Sequence, residues 1–156
     1  DPLMDLNFTL SEESLTAAVN DSINELSKAI DDIVTGVPKN ERNFLNTVHA
    51  FDAARTAAYN KQLQATFLVL VSGDKQVREA ANAGKKKYEG FEIGVFSRQD
   101  LYQALSEFAE TSPKLSEEQQ RTLDKYMLDF KRNGLALPKA SREAVQALKR
   151  DISALC

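Results

Sequence analysis

Side chains able to do chemistry are few and scattered in this chain of 156 residues. The one histidine, His49, stands in Val48-His49-Ala50-Phe51-Asp52. Zinc ligands come in sets, and the partner that an i, i+4 pair would need is Ala53. His49 is therefore expected to be an ordinary helix-face residue. Cys156, the one cysteine, has no base near it in sequence to generate a thiolate, so it is expected to be a plain residue of a terminal helix. Glu12-Glu13, Asp31-Asp32 and Glu117-Glu118 are adjacent carboxylates. Neighbours on a helix point about 100° apart and do not converge on one bond. Two of these pairs fall where helix N-termini favour negative charge. The basic runs Lys85-Lys86-Lys87-Tyr88 and Lys131-Arg132 are read as solvated helix faces. No residue is assigned to catalysis or to a metal, no cofactor is expected within these residues, and the sequence does not single out a substrate-binding set. Among the aromatics, Phe8, Phe44, Tyr59, Phe67, Tyr88, Tyr102, Tyr126 and Phe130 are mostly core by spacing. Arg55 or an exposed tyrosine remains available to contact a ligand.

Composition limits the alternatives. Charged residues make up 28% and hydrophobic ones 42%, which suits a globular rather than a disordered chain. The net charge of −3 argues against a general nucleic-acid binder. A lone cysteine excludes an internal disulfide scaffold. No apolar run reaches the ~20 residues that span a bilayer, so no membrane partner is expected. The length suits one domain with one substantial core.

The elements that must position these side chains read as helices throughout. Residues 1–10 look extended, with Pro2 and the apolar Leu3, Leu6, Phe8 and Leu10. Thr9 or Ser11 can cap a long amphipathic helix carrying Leu15, Val19, Ile23, Leu26, Ile30 and Ile33, which ends near Gly36 with Pro38 beyond. A second helical region opens at Asn40 and bears Phe44, Leu45, Val48, Phe51, Arg55 and Tyr59. Phe67-Leu68-Val69-Leu70-Val71 would pass for a strand by composition, but no second strand-like run exists to pair with it, so it is read as a buried helix. Ser72-Gly73-Asp74 marks a break. The stripe Val77, Ala80, Ala81, Tyr88 and Phe91 follows, with a bend or interruption expected near Gly90. Another helix runs from Ser97 through Leu101, Tyr102, Leu105 and Phe108 to before Ser112-Pro113.

Leu115–Pro138 is the most fully specified stretch. Ser116 and Gln119 form a capping box, Glu117 and Glu118 occupy the first turn, and Leu123, Tyr126, Met127 and Phe130 line one face. Gly134 can take a left-handed C′ conformation, with Leu135 folded back over Phe130. Ser141 to Cys156 places Val145, Leu148, Ile152 and Leu155 on a narrow a/d seam. That seam stops in mid-pattern, so the final helix is expected to be truncated at a proteolytic or artificial boundary, with the parent polypeptide continuing. The fold expected is all-α, a multi-helix bundle of about six or seven helices.

The run Asp129-Phe130-Lys131-Arg132-Asn133-Gly134-Leu135-Ala136-Leu137-Pro138 resembles the D-F-[K/R]-[K/R]-x-G-x-x-L-P ending of a helix in the thimet oligopeptidase family of zinc metallopeptidases, where another long helix follows. In order along the chain, Asn43-Phe44-Leu45-Asn46-Thr47 resembles that family's T-F-E-N-T, and Val77-Arg78-Glu79-Ala80 its L-R-E-A. Arg98-Gln99-Asp100-Leu101-Tyr102-Gln103-Ala104-Leu105 resembles a segment linking two of its helices. Leu45 departs from the acidic residue frequent there, and His49–Leu70 lacks the family's usual Trp. The resemblance implies that residues 1–156 are the N-terminal helical domain of a zinc oligopeptidase, one wall of a channel that admits short peptides. Its partners would be the catalytic domain of the same polypeptide and those peptides. The zinc would belong to the parent enzyme, on an H-E-x-x-H helix that is absent here, so this segment alone is expected to have no peptidase activity. The cytoplasm is the expected compartment, with secreted or periplasmic placement left open. Two other readings stand beside this one. One is a free-standing helical module that binds a partner through the seam Val145–Leu155; the other is a ligand-sensing bundle of a membrane receptor.

Overall fold

Helix-capping chemistry sets where each element begins. A computed structural model describes residues 10–111 and 113–155. It contains α1 (Glu12–Gly36), a 3-10 turn (Lys39–Glu41), a π-helical turn (Phe44–His49), α2 (Ala50–Thr66), the single turn α3 (Leu68–Val71), α4 (Lys75–Val95), α5 (Gln99–Glu110), α6 (Glu117–Arg132) and α7 (Lys139–Leu155). The all-α expectation holds. Ser11 caps α1 by accepting from the Ser14 amide at 3.2 Å, and Asp74 caps α4 through Gln76 at 2.8 Å. The expected extended segment lies at residues 1–9, outside the described residues, apart from Leu10. Among the described residues no helix is long and apolar enough to cross a membrane.

Three helices build the main layer. α2 runs antiparallel to α1, as Lys61 shows by reaching back to Glu25 at 2.8 Å. α4 runs parallel to α1, since Lys87 meets Asn20 and, one end further on, Arg98 just beyond α4 meets Asp31. Leu15, Val19, Leu26, Ile30 and Ile33 of α1 are buried against this layer. Burying one such side chain fully contributes about 1.5–3 kcal/mol. At Gly84 α1 and α4 approach closely, because a Cβ there would stand 3.0 Å from Val19 Cγ2.

α5 and α6 close one end of the layer through an aromatic cluster. Phe51 of α2 lies 4.9 Å from Tyr126 and 6.3 Å from Phe130 of α6, centroid to centroid. Phe96, after α4, is 5.2 Å from Phe130, and Tyr102 of α5 is 5.9 Å from it. Phe51 and Phe130 are fully buried. Such pairs add about 0.5–1.5 kcal/mol beyond their buried area. α6 ends as its sequence foretells. Leu135 N–H donates to Phe130 O at 3.2 Å and Gly134 N–H to Lys131 O at 2.9 Å, with Gly134 at φ +89°.

Three local expectations are corrected. The second helical region does not open at Asn40. A 3-10 turn occupies that place, and Asn43 caps the π-helical turn, accepting from the Leu45 and Asn46 amides while Asn46 Oδ1 accepts from Asn43 N–H. No interruption occurs near Gly90: α4 is continuous from Lys75 to Val95, with Ala81, Gly84, Tyr88 and Val95 buried. Phe67–Val71 is helical at Leu68–Val71 but not buried. A single turn offers one residue to the core, so Leu68 is buried while Leu70 is 77% exposed.

Candidate functional site

The π-helical turn and the start of α6 meet across a groove of about 410 Å³, lined by Phe44, Leu45, His49, Asp52, Glu118, Gln119 and Thr122. Its shape follows from local chemistry. The wider π-helical ring turns Leu45 outward, leaving it 68% exposed although its sequence spacing matches its buried neighbours. The Phe44 ring lies roughly parallel to His49, 22° between planes and 6.4 Å between centroids. These two rings and Leu45 make an apolar wall. Opposite, the Ser116–Gln119 capping box fixes the first turn of α6, with Ser116 N–H donating to Gln119 Oε1 at 3.0 Å and Gln119 N–H to Ser116 Oγ at 3.3 Å. Glu118, an exposed residue, also lines the groove.

Asp52, half-buried, also lines the groove, and Tyr126 donates its hydroxyl to its Oδ1 at 2.5 Å. Burial first, and then the hydrogen bond and charge of Asp52, push the Tyr126 phenol well above its ordinary value. A polar network continues from this point. Arg55 donates Nε–H to Glu92 Oε1 at 3.0 Å, and its guanidinium also stands 5.2 Å over the Phe96 ring. Burial works against the Arg55 charge, yet Glu92 and Tyr126 hold its pKa above the ordinary guanidinium value. Tyr88, next in line on α4, is buried, its hydroxyl without a hydrogen-bond partner among the described residues, and burial pushes its phenol up to about 12. A smaller cleft of about 180 Å³, lined by Arg55, Thr56 and Tyr59, opens beside this network. Asp52, Arg55, Thr56 and Tyr59 follow i, i+3, i+4, i+7 spacing, so both openings share one side of α2.

The residues singled out from the sequence distribute unevenly over this surface. His49 sits in the groove wall, and Arg55 and Tyr59 line the cleft. Asp52 is not among those residues, although its place three positions after His49 puts the two on one helical face. Glu118, read as a helix-dipole charge, also borders the groove. The other carboxylates and the basic runs lie elsewhere. Asp31 accepts from Arg98 at 2.7 Å, Glu117 pairs with Arg121, and Lys85 approaches Glu89 at 3.9 Å. Val145 is half-buried beside Gly134, while Leu148 and Ile152 are 63% and 55% exposed. The side chains of Leu155 and Cys156, like Phe8, fall outside the described residues.

Chemically, the groove can bind and orient. Among the described residues no three His, Cys, Asp or Glu side chains gather to hold a metal ion, so they do not fit a zinc ion. His49 faces Phe44 rather than a second imidazole.

No family model matches the chain. Two curated proteins are similar to it. A thimet-like oligopeptidase of Dictyostelium discoideum is 33% identical over 158 aligned positions, covering 97% of this chain and 23% of that protein. The oligopeptidase PhomG′ of Diaporthe leptostromiformis is 26% identical over 135 positions, covering 83% of this chain and 11% of that protein. These relatives support a relationship to the oligopeptidases. The chain spans less than a quarter of either relative's length.

Proposed function

We propose that residues 1–156 are the N-terminal helical domain of a zinc-dependent oligopeptidase, walling a channel through which short peptides reach a metal site elsewhere in the polypeptide. The observation that carries this reading is the likeness to a thimet-like oligopeptidase along 97% of the chain. The family-like D-F-K-R-N-G-L-A-L-P run gives further support, since it forms a helix end whose Gly134 and Leu135 make the bonds that such a sequence requires.

In this reading the metal, when bound by the rest of the enzyme, activates the water that attacks the peptide carbonyl. The present residues do not touch that step. They contribute a rigid wall, because α2 is fixed on both flanks by the aromatic cluster and by the Arg55–Glu92 and Lys61–Glu25 pairs. On the wall's surface, the groove and the Arg55–Tyr59 cleft supply places for substrate side chains. A rigid wall lowers the entropy lost when a short peptide is oriented.

The test is direct. The reading frame that encodes this chain should continue into a helix bearing H-E-x-x-H with an acidic third ligand downstream. A complete gene product lacking that motif would remove the reading.

A further inference from the structure

We propose that the apolar outer side of α2 and α3 is a docking surface for this chain's own residues 3–9, which lie over it as an extended strap with Leu6 and Phe8 against Leu63 and Leu70. The inference concerns these 156 residues alone and stands whether or not the oligopeptidase reading does.

The surface shows two independent marks of a covered face. Tyr59, Leu63 and Leu70 are spaced i, i+4, i+11, which sets them on one side of a helix. The backbone stays helical between them, with Phe67 N–H donating to Leu63 O at 2.8 Å and Ser72 N–H to Leu68 O at 3.0 Å. The three side chains are 45%, 39% and 77% exposed. The second mark is charge. From Gln62 to Gly73 no residue is charged, although charged residues make up 28% of the chain. Lys61, just before this run, is turned to Glu25 of α1. Depletion of charge around exposed apolar and aromatic side chains is what a contact surface shows and a water-facing helix does not.

The register of α1 against α2 brings one segment to this surface. Lys61 stands level with Glu25, and towards the other end of the pair Ala50 and Ile33 border one cavity. Continued in that antiparallel register, Leu10 comes level with the end of α3. Ser11 caps α1 in an extended conformation, φ −74° and ψ 162°, so the helix direction is broken there. Leu10 is half-buried and packs against the core. Alternate side chains of an extended chain share a face. Leu6, Phe8 and Leu10 are apolar, whereas Asp5, Asn7 and Thr9 between them are polar. The side that Leu10 turns to the protein is therefore the side that carries Phe8 and Leu6. At about 3.3 Å per residue, residues 3–10 reach roughly 23 Å. That exceeds the ~17 Å from Tyr59 to Leu70 along a helix and leaves length to cross from α1.

Magnitudes favour this occupant over a second copy. Three or four partly exposed side chains offer on the order of 300 Å² of apolar surface. A stable dimer needs about 800 Å² from each partner. A tethered segment is held beside the surface at high effective concentration, so a small contact suffices.

Photochemical cross-linking in the full chain tests the proposal. Phe8→p-benzoylphenylalanine places the probe in the strap, and trypsin, cutting after Lys61 and Lys75, releases the α2–α3 surface as one peptide. Mixing isotope-labelled and unlabelled chains separates cross-links within a chain from those between chains. The main product should join position 8 to that peptide within one chain. Adding Leu70→Asp, at an exposed position, should remove most of it while the helical circular dichroism stays unchanged. Adding Leu128→Asp, exposed on α6, should leave it in place. No cross-link, one directed mainly to other peptides, one formed mainly between chains, or one undiminished by Leu70→Asp would overturn the strap.

Discussion

Tyr126 of α6 and Asp52 of α2 are joined by a 2.5 Å hydrogen bond across 74 residues of chain. The bond ties the most recognisable helix of the sequence to the helix that carries the groove. Tyr126 is 3% exposed and its ring packs 4.9 Å from Phe51, so the hydroxyl reaches the carboxylate from inside the aromatic cluster. A bond of this kind, with an ionised acceptor, contributes about 1.5–3 kcal/mol.

Tyr126→Phe should accordingly destabilise the fold by about 1.5–3 kcal/mol, because it removes the donor while keeping the ring. Urea unfolding followed by circular dichroism reads this directly. The slope should stay constant and the midpoint should fall. Wild-type stability in the variant would mean that the bond contributes nothing.

Alkaline titration gives a second readout of the same network. Tyr88 and Tyr126 hold their protons more tightly when folded than in the unfolded chain, where a phenol ionises near pH 10. Stability from these groups is complete below that value and is lost as pH rises through the raised folded values. Absorbance at 295 nm should therefore show a late-ionising fraction, with unfolding setting in above about pH 10. Phe substitution at either position should shrink that fraction. A single ordinary transition accounting for every tyrosine would contradict the network.

Two glycines of α4 should respond in opposite directions to the same change. Gly90→Ala meets no atom within 4 Å, so the gain in helix propensity should stabilise by up to about 1 kcal/mol. At Gly84 the new methyl would stand 3.0 Å from Cγ2 of Val19, a buried and rotationally stiff side chain. Overpacking of about 1–3 kcal/mol should outweigh the propensity gain there. Thermal melts of both variants decide the matter, and stabilisation by Gly84→Ala would show that α1 can shift away.

How much of the fold and the groove is legible in the sequence depends on the range of the forces involved. The start and stop of α6 are legible because Ser116, Gln119 and Gly134 act within a turn of their own positions. The stripe Leu15 to Ile33 is legible because periodicity alone selects a buried face. Leu45 and Leu70 mislead for the opposite reason. Their exposure follows from the π-helical turn and from the shortness of α3, neither of which a hydrophobic pattern encodes. The groove and the cleft beside it are half legible. His49, Arg55 and Tyr59 can be named from type and spacing, but bringing Glu118 to His49 and Asp52 requires α6 to fold back onto α2.

Above all, this segment is proposed to serve a metallopeptidase without performing its chemistry. The decisive measurement compares cleavage of a quenched fluorescent short peptide by the complete zinc-loaded gene product and by residues 1–156 alone, each with and without a chelator. Chelator-sensitive cleavage by the complete protein and none by the segment is the predicted result. Cleavage by the segment itself, or an inert complete protein in the presence of zinc, would contradict it.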